Sequence, residues 1–209
     1  MSSIRTITFG MGCFWSPDAL FGRQPGVVRT RVGYTGGTAL NPTYRRLGDH
    51  SETVELDYDP DRLTLEQLLS LFWNNHNPIN INDYKGRQYQ SLVLYRDEAQ
   101  RAVVATVLRE REQQGKGRPA TEIAPFHTFY PAEDRHQKYY LKRFPDAVNK
   151  LGQLYPTLEE LRDATLPARL NGLAKGYGNL TDILNEIAEW PIGESERDAM
   201  VRLVKSIRW

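Results

Sequence analysis

The chain has 209 residues, 40% of them hydrophobic and 25% charged, with a formal net charge of +1. That is enough apolar material for one generous domain with an extension, and too little chain for two full domains. The balanced charge calls for no nucleic acid or membrane partner. MSSIRTITF has neither the basic start nor the apolar stretch of a signal peptide, so a cytoplasmic monomer is the expectation.

In chain order, RTITF alternates apolar and polar residues and runs into Gly10, Met11 and Gly12, which predicts a strand entering a tight turn. Ser16, Pro17 and Asp18 then read as a helix start, with Ala19, Leu20 and Phe21 as its apolar face. VVRTRVGY and TVELDYDP predict two further strands, separated by the long polar loop TGGTALNPTYRRLGDHSE. LTLEQLLSLFWNNHNP has helical spacing, YQSLVLY reads as a strand and DEAQRAVVATVLREREQQG as a long helix, while residues 121–143 fit no single pattern. From residue 147 onward the apolar spacing is helical throughout, with a capping-box pattern at Thr157 and Glu160. The expected organisation is an α+β domain over residues 1–146, with helices mainly on one face of its sheet. A helical extension over 147–209 packs on it.

The only cysteine, Cys13, lies in GMGCFW. Its isolation excludes an internal disulfide and a multi-thiolate zinc site and leaves a packed small hydrophobe or a reactive thiol. A position at a helix start favours the second reading, because unpaired N–H groups and the helix dipole stabilise a thiolate. Glu52, just before an apolar strand, is a candidate general acid if burial raises its pKa. Tyr44 and Tyr89 are candidate hydrogen-bond donors to a substrate oxygen, and Phe14 and Trp15 could line a slot for a small apolar group. Each of these has a plainer reading as solvated charge, turn or core residue.

The order GCFW, GYTGG, NPTY, HSE before a strand ending in YDP, then ND, QY, TEI and FYPAEDRHQ resembles the A-type peptide methionine sulfoxide reductases over roughly residues 4–145. The resemblance implies a two-layer α+β fold of ferredoxin-like type and reduction of the S epimer of methionine sulfoxide, free or in proteins. It implies Cys13 as nucleophile, Phe14 and Trp15 as the methyl pocket, Tyr44, Glu52 and Tyr89 as the groups polarising the sulfoxide oxygen, and Asp83 as an acidic residue near the same pocket. No bound cofactor or metal is implied.

Several positions depart from the family pattern. The stretch from Tyr44 to Glu52 is short and free of cysteine, Gln90 follows Tyr89 where Arg is usual, Tyr84 follows Asp83 where His is frequent, and Arg135 interrupts the familiar AEDYHQ. With no second thiol in the chain, a Cys13 sulfenic acid needs an external reductant, either glutathione with glutaredoxin or thioredoxin directly. Two other classes remain: a non-catalytic module binding oxidised methionine, and a different cysteine-nucleophile enzyme such as a thiol peroxidase or acyl transferase, with His50, His76, His127 and His136 as possible bases. Metal binding by His50 with Glu52, or by Glu133 with His136, lacks a third ligand.

Overall fold

The computed structural model describes residues 3–81, 83–84 and 86–209. Strands β1 (Arg5–Met11), β2 (Val27–Thr35), β3 (Ser51–Tyr58), β4 (Ser91–Tyr95), β5 (Glu122–Pro125) and β6 (Tyr130–Pro131) form one sheet, in the order β5-β4-β1-β3-β2-β6. Neighbouring strands run antiparallel, except that β4 and β5 are parallel. Helix α1 (Trp15–Gly22) joins β1 to β2, and α2 (Leu65–Asn74) joins β3 to β4. The succession β1-α1-β2-β3-α2-β4, with central order β4-β1-β3-β2, is the expected ferredoxin-like pattern. Helix α3 (Glu98–Gln113) packs on α2.

The period-two alternation of the strands separates two chemistries. Ile7, Phe9, Val54, Leu56 and Val93 face the helices and join Phe21, Leu68, Leu69 and Phe72 in the apolar core. On the other face Arg31 and Arg96 pair with Glu55, Arg29 pairs with Asp57, and Thr6 donates to Asp57. The helix layer on one face and the ion-pair lattice on the other are what make this a two-layer protein.

Helices α4 (Pro145–Leu151), α5 (Leu158–Asp163), α6 (Thr165–Lys175), α7 (Leu180–Ala188) and α8 (Glu194–Ser206) follow. They enclose a second apolar cluster that includes Leu166, Leu170, Ile183, Ile187, Trp190 and Val204. Helix α6 lies directly on α1. A Cβ added to Gly172 would stand 2.9 Å from the Ala19 carbonyl oxygen, and one added to Gly22 would stand 2.8 Å from that of Ala168, so this approach needs glycine on both helices. Buried Arg169 completes the seam: it donates to the carbonyls of Gly22 (2.6 Å) and Val27 (2.7 Å) while pairing with Glu186 (2.8 Å). Among the described residues, no helix is long and apolar enough to cross a membrane.

Candidate active site

Cys13 sits between the end of β1 and the start of α1, after Gly12 at φ +94°. That left-handed conformation suits glycine, and a Cβ there would also meet Ile81 Cγ2 at 2.6 Å. The chain therefore leaves the strand and enters the helix within three residues. The Trp15 backbone N–H favours the Cys13 thiolate, but burial is the larger influence, and the thiol's pKa lies above its ordinary value. The helix start thus does not yield a depressed thiol pKa, contrary to expectation.

Glu52 follows from strand register. Tyr58, Leu56 and Val54 face the helix layer, so two residues further back Glu52 faces it too, opposite Tyr34 and beside the start of α1. Its Oε2 accepts the Phe14 backbone N–H at 3.1 Å, and its Oε1 accepts from Gln88 Nε2 at 2.8 Å. The residue is fully buried. Burial raises its pKa above the usual carboxylate range, and the two donors only partly oppose this.

The phenols join the same group. Burial, together with the charges of Glu52 and Cys13 and the neighbouring Tyr44, pushes the Tyr89 pKa up, so it stays a neutral donor. Tyr44 is half exposed, and its ring lies 4.8 Å from that of His136. The long loop carrying Tyr44 is folded on itself: Asp49 accepts the N–H groups of Thr38 and Ala39, and His50 accepts from the Gly37 N–H while donating to the Ala39 carbonyl. Arg87 ties this loop to the segment bearing Gln88 and Tyr89, through the carbonyls of Gly36 and Asp49. His50 therefore holds backbone.

Trp15 is partly exposed, with its ring stacked on Tyr139 at 3.7 Å and its Nε1–H donated to His136 Nδ1 at 3.2 Å. Phe14 is 1% exposed, packed against Tyr34 and His136, so it backs the site and offers almost no accessible wall. Asp83 is exposed at φ +57° and bonded to Asn80. Among the described residues, its hydrogen bonds go to Asn80 and do not join it to Glu52 or the phenols. The arrangement brings together a thiol, a buried carboxyl whose pKa is raised and two phenol hydroxyls, a set that suits attack by sulfur on an electrophile whose departing oxygen must be protonated.

The family model for peptide methionine sulfoxide reductase matches residues 5–163. The chain belongs to the peptide methionine sulfoxide reductase family. These are oxidoreductases that carry out thiol-dependent reduction of methionine sulfoxide. A peptide methionine sulfoxide reductase of Drosophila melanogaster is 44% identical over 193 residues, covering 92% of this chain and 77% of the relative. One from Methanococcus maripaludis strain C5 is 39% identical over 156 residues, covering 71% of this chain and 99% of its own. The solved methionine sulfoxide reductase A of Corynebacterium diphtheriae superposes with a TM-score of 0.57 at 35% identity, over 70% of this chain and 77% of that one. The Drosophila match, at 92% of this chain, thus runs well into residues 147–209.

Within this reductase, Gln88, Glu133 and His136 stand among the site residues without having been singled out as such. Gln88 touches Glu52 directly, and its position next to Tyr89 was the available signal. Glu133 accepts from the Tyr34 hydroxyl at 2.6 Å and the Tyr44 N–H at 3.1 Å, fixing the Tyr44 backbone. The His136 pKa is lowered by burial and by neighbouring Arg135, whose Nε–H faces Nε2 at 3.2 Å as the Trp15 indole N–H faces Nδ1. Glu133 and His136 had suggested a metal-ligand pair by spacing, and His136 a possible base; here they are anchors for the aromatic residues.

Proposed function

We propose that this enzyme reduces the S epimer of methionine sulfoxide, with Cys13 as nucleophile and Glu52 as general acid. The reading is carried by one observation: buried, pKa-raised Glu52 bonded to the backbone N–H of Phe14, the residue next to the sulfur. Cys13 Sγ attacks the electrophilic sulfur while Glu52, assisted by Tyr44 and Tyr89, gives its proton to the sulfoxide oxygen. The hydroxyl of the resulting sulfurane then passes to Sγ: an Sγ–O bond forms as the substrate S–O bond and the transient Sγ–S bond break, and methionine leaves as the thioether. The thiol proton restores Glu52. In sum, thiol and sulfoxide become sulfenic acid and thioether.

Trp15, held by Tyr139 and His136, receives the substrate methyl group and sets the sulfur in line with Sγ. The R epimer in the same pose turns its oxygen away from the donors. A bound cofactor has no part in this scheme. The sulfenic acid is returned to thiol by an external thiol, glutathione with glutaredoxin or thioredoxin. Residues 147–209 serve as a fixed cover over α1 within one folded unit with residues 1–146. The test is incubation with separate S and R methionine sulfoxide and dithiothreitol, with methionine assayed. Turnover of the S epimer alone is expected, and an inactive wild type or R-epimer turnover overturns the proposal. Loss of all turnover in Cys13→Ser separates catalysis from mere binding.

A further inference from the structure

Cys13 also belongs to the wall of a cavity of about 280 Å³ that Glu52, Tyr44 and Tyr89 do not line. Ser16, Asn75, Asn77 and Asn80 contribute hydroxyl and amide groups to this cavity, and Tyr177, from the turn after α6, brings the extension into the same wall. We propose that this cavity is the entry and binding site for a small peptidic thiol of glutathione size, which reduces the Cys13 sulfenic acid. The proposal rests on the reading of Cys13 and Glu52 given above.

The argument is stereochemical. Displacement at a sulfenyl sulfur is in line, so the incoming thiolate approaches Sγ from the side away from the S–O bond. With the oxygen left among Glu52 and the phenols, the open approach is from a wall they do not occupy, and this cavity offers one. The thiolate forms the S–S bond as the Sγ–O bond breaks, and the oxygen takes the Glu52 proton and leaves as water while the proton of the incoming thiol passes to Glu52, giving Cys13 in mixed disulfide with the small thiol. A second molecule of thiol then attacks the small thiol's own sulfur, releasing Cys13 and a small-molecule disulfide. Two thiols are oxidised for each sulfenic acid reduced. The cavity suits such a ligand in two respects. Its size is at the lower end of small-molecule pockets, too confined for a folded protein's dithiol loop. Asn75 gives Nδ2 to the Leu71 carbonyl and Asn77 takes the Ile79 N–H on Oδ1, so the other end of each side-chain amide is what the amide and carboxylate groups of a short peptide would engage.

The test isolates this half of the cycle. The sulfenic acid is generated with one equivalent of hydrogen peroxide, glutathione is added, and the mixed disulfide is followed by quenched intact-mass measurement. In wild type its rate saturates with glutathione concentration. Asn77→Trp, which fills the cavity, slows it at least tenfold, and Tyr177→Ala, which widens the cavity, raises the half-saturating concentration at least fivefold. Neither change alters the rate at which methionine sulfoxide produces the sulfenic acid, which also shows that both variants fold. A rate linear in glutathione and equal in all three proteins overturns the cavity assignment, as does reaction with a thioredoxin-type protein alone. Saturable glutathione reaction without any sulfoxide turnover upholds the cavity and removes the sulfoxide reading instead.

Discussion

The backbone N–H of Phe14 lies 3.1 Å from Oε2 of Glu52, so the N-cap of α1 and the N-terminal end of β3 are joined one residue from Cys13. The same carboxyl raises the Cys13 pKa through its charge. Glu52→Gln keeps the shape and removes both the proton donor and that charge. Two effects in opposite directions are expected. Sulfoxide turnover falls by about 10²–10³, the scale for losing a positioned acid, while the Cys13 pKa moves down, read from the pH dependence of iodoacetamide alkylation. A Cys13 pKa unchanged or raised in the variant contradicts the electrostatic coupling.

Gln88 tests the same carboxyl from its other oxygen. Its side-chain N–H, 2.8 Å from Oε1, favours the charged form and holds the Glu52 pKa below where burial alone would put it. Gln88→Met removes that donor, so the Glu52 pKa rises and the acid keeps its proton to higher pH. The alkaline limb of the activity profile, where deprotonated Glu52 is the inactive form, moves to higher pH. Stability follows the same sign. A carboxyl whose folded pKa exceeds its unfolded value favours the fold most below the unfolded pKa, near 4.5. That contribution is lost as pH rises through the raised folded value. Urea denaturation across that range is expected to show a wider falling window for Gln88→Met than for wild type.

Much of this site was legible because strand alternation and short motifs act locally. Two-residue periodicity in TVELDY already fixed the face of Glu52, and the glycines before Cys13 marked the strand-to-helix turn. What escaped were residues defined by distant partners. Gln88 gains its role only when the 87–90 segment meets β3, and His136 only when it reaches Trp15, 121 residues away. Helix α6 lies inside the expected helical extension, but its buried polar contacts went unread for a related reason: Arg169 and Asn171 look like surface residues in sequence, yet both are buried, paired with Glu186 and with the Leu141 N–H. The thiol pKa was misjudged because the helix start is visible in a sequence and the depth of burial is not.

Trp15 and His136 give a pH-dependent prediction. To accept the indole N–H, His136 Nδ1 must be unprotonated, and burial and Arg135 keep the ring's pKa below its ordinary 6.5. Proton uptake as pH falls through that depressed value breaks the bond and frees the Trp15 ring. KM for the sulfoxide is expected to rise on the acid side in wild type. His136→Leu shows a KM raised several-fold at all pH values and no acid-side dependence, with kcat changed less. His136→Gln, which keeps an acceptor, recovers part of the affinity. A histidine that merely fills space would make the Leu and Gln variants equivalent, and steady-state kinetics from pH 5 to 8 separates the two cases.

Arg169 decides how the extension is bound to α1, the helix that follows Cys13. Its guanidinium is 1% exposed and satisfies two backbone carbonyls, Gly22 at the end of α1 and Val27 at the start of β2, besides Glu186. Arg169→Met leaves those carbonyls and the Glu186 carboxylate buried without their donor. Breaking a buried pair from one side costs about 3–5 kcal/mol. The double change Arg169→Met with Glu186→Leu removes the stranded charge and is expected to regain a large part of that loss, though not the part owed to the two carbonyls. Chemical denaturation of the three variants against wild type measures both steps. If α6 were a loosely attached cover, the single variant would lose less than about 1 kcal/mol, the range of surface pairs. A loss near the higher figure, with Cys13 alkylation accelerated at the same time, is the result expected of a helix that holds α1 in place from behind.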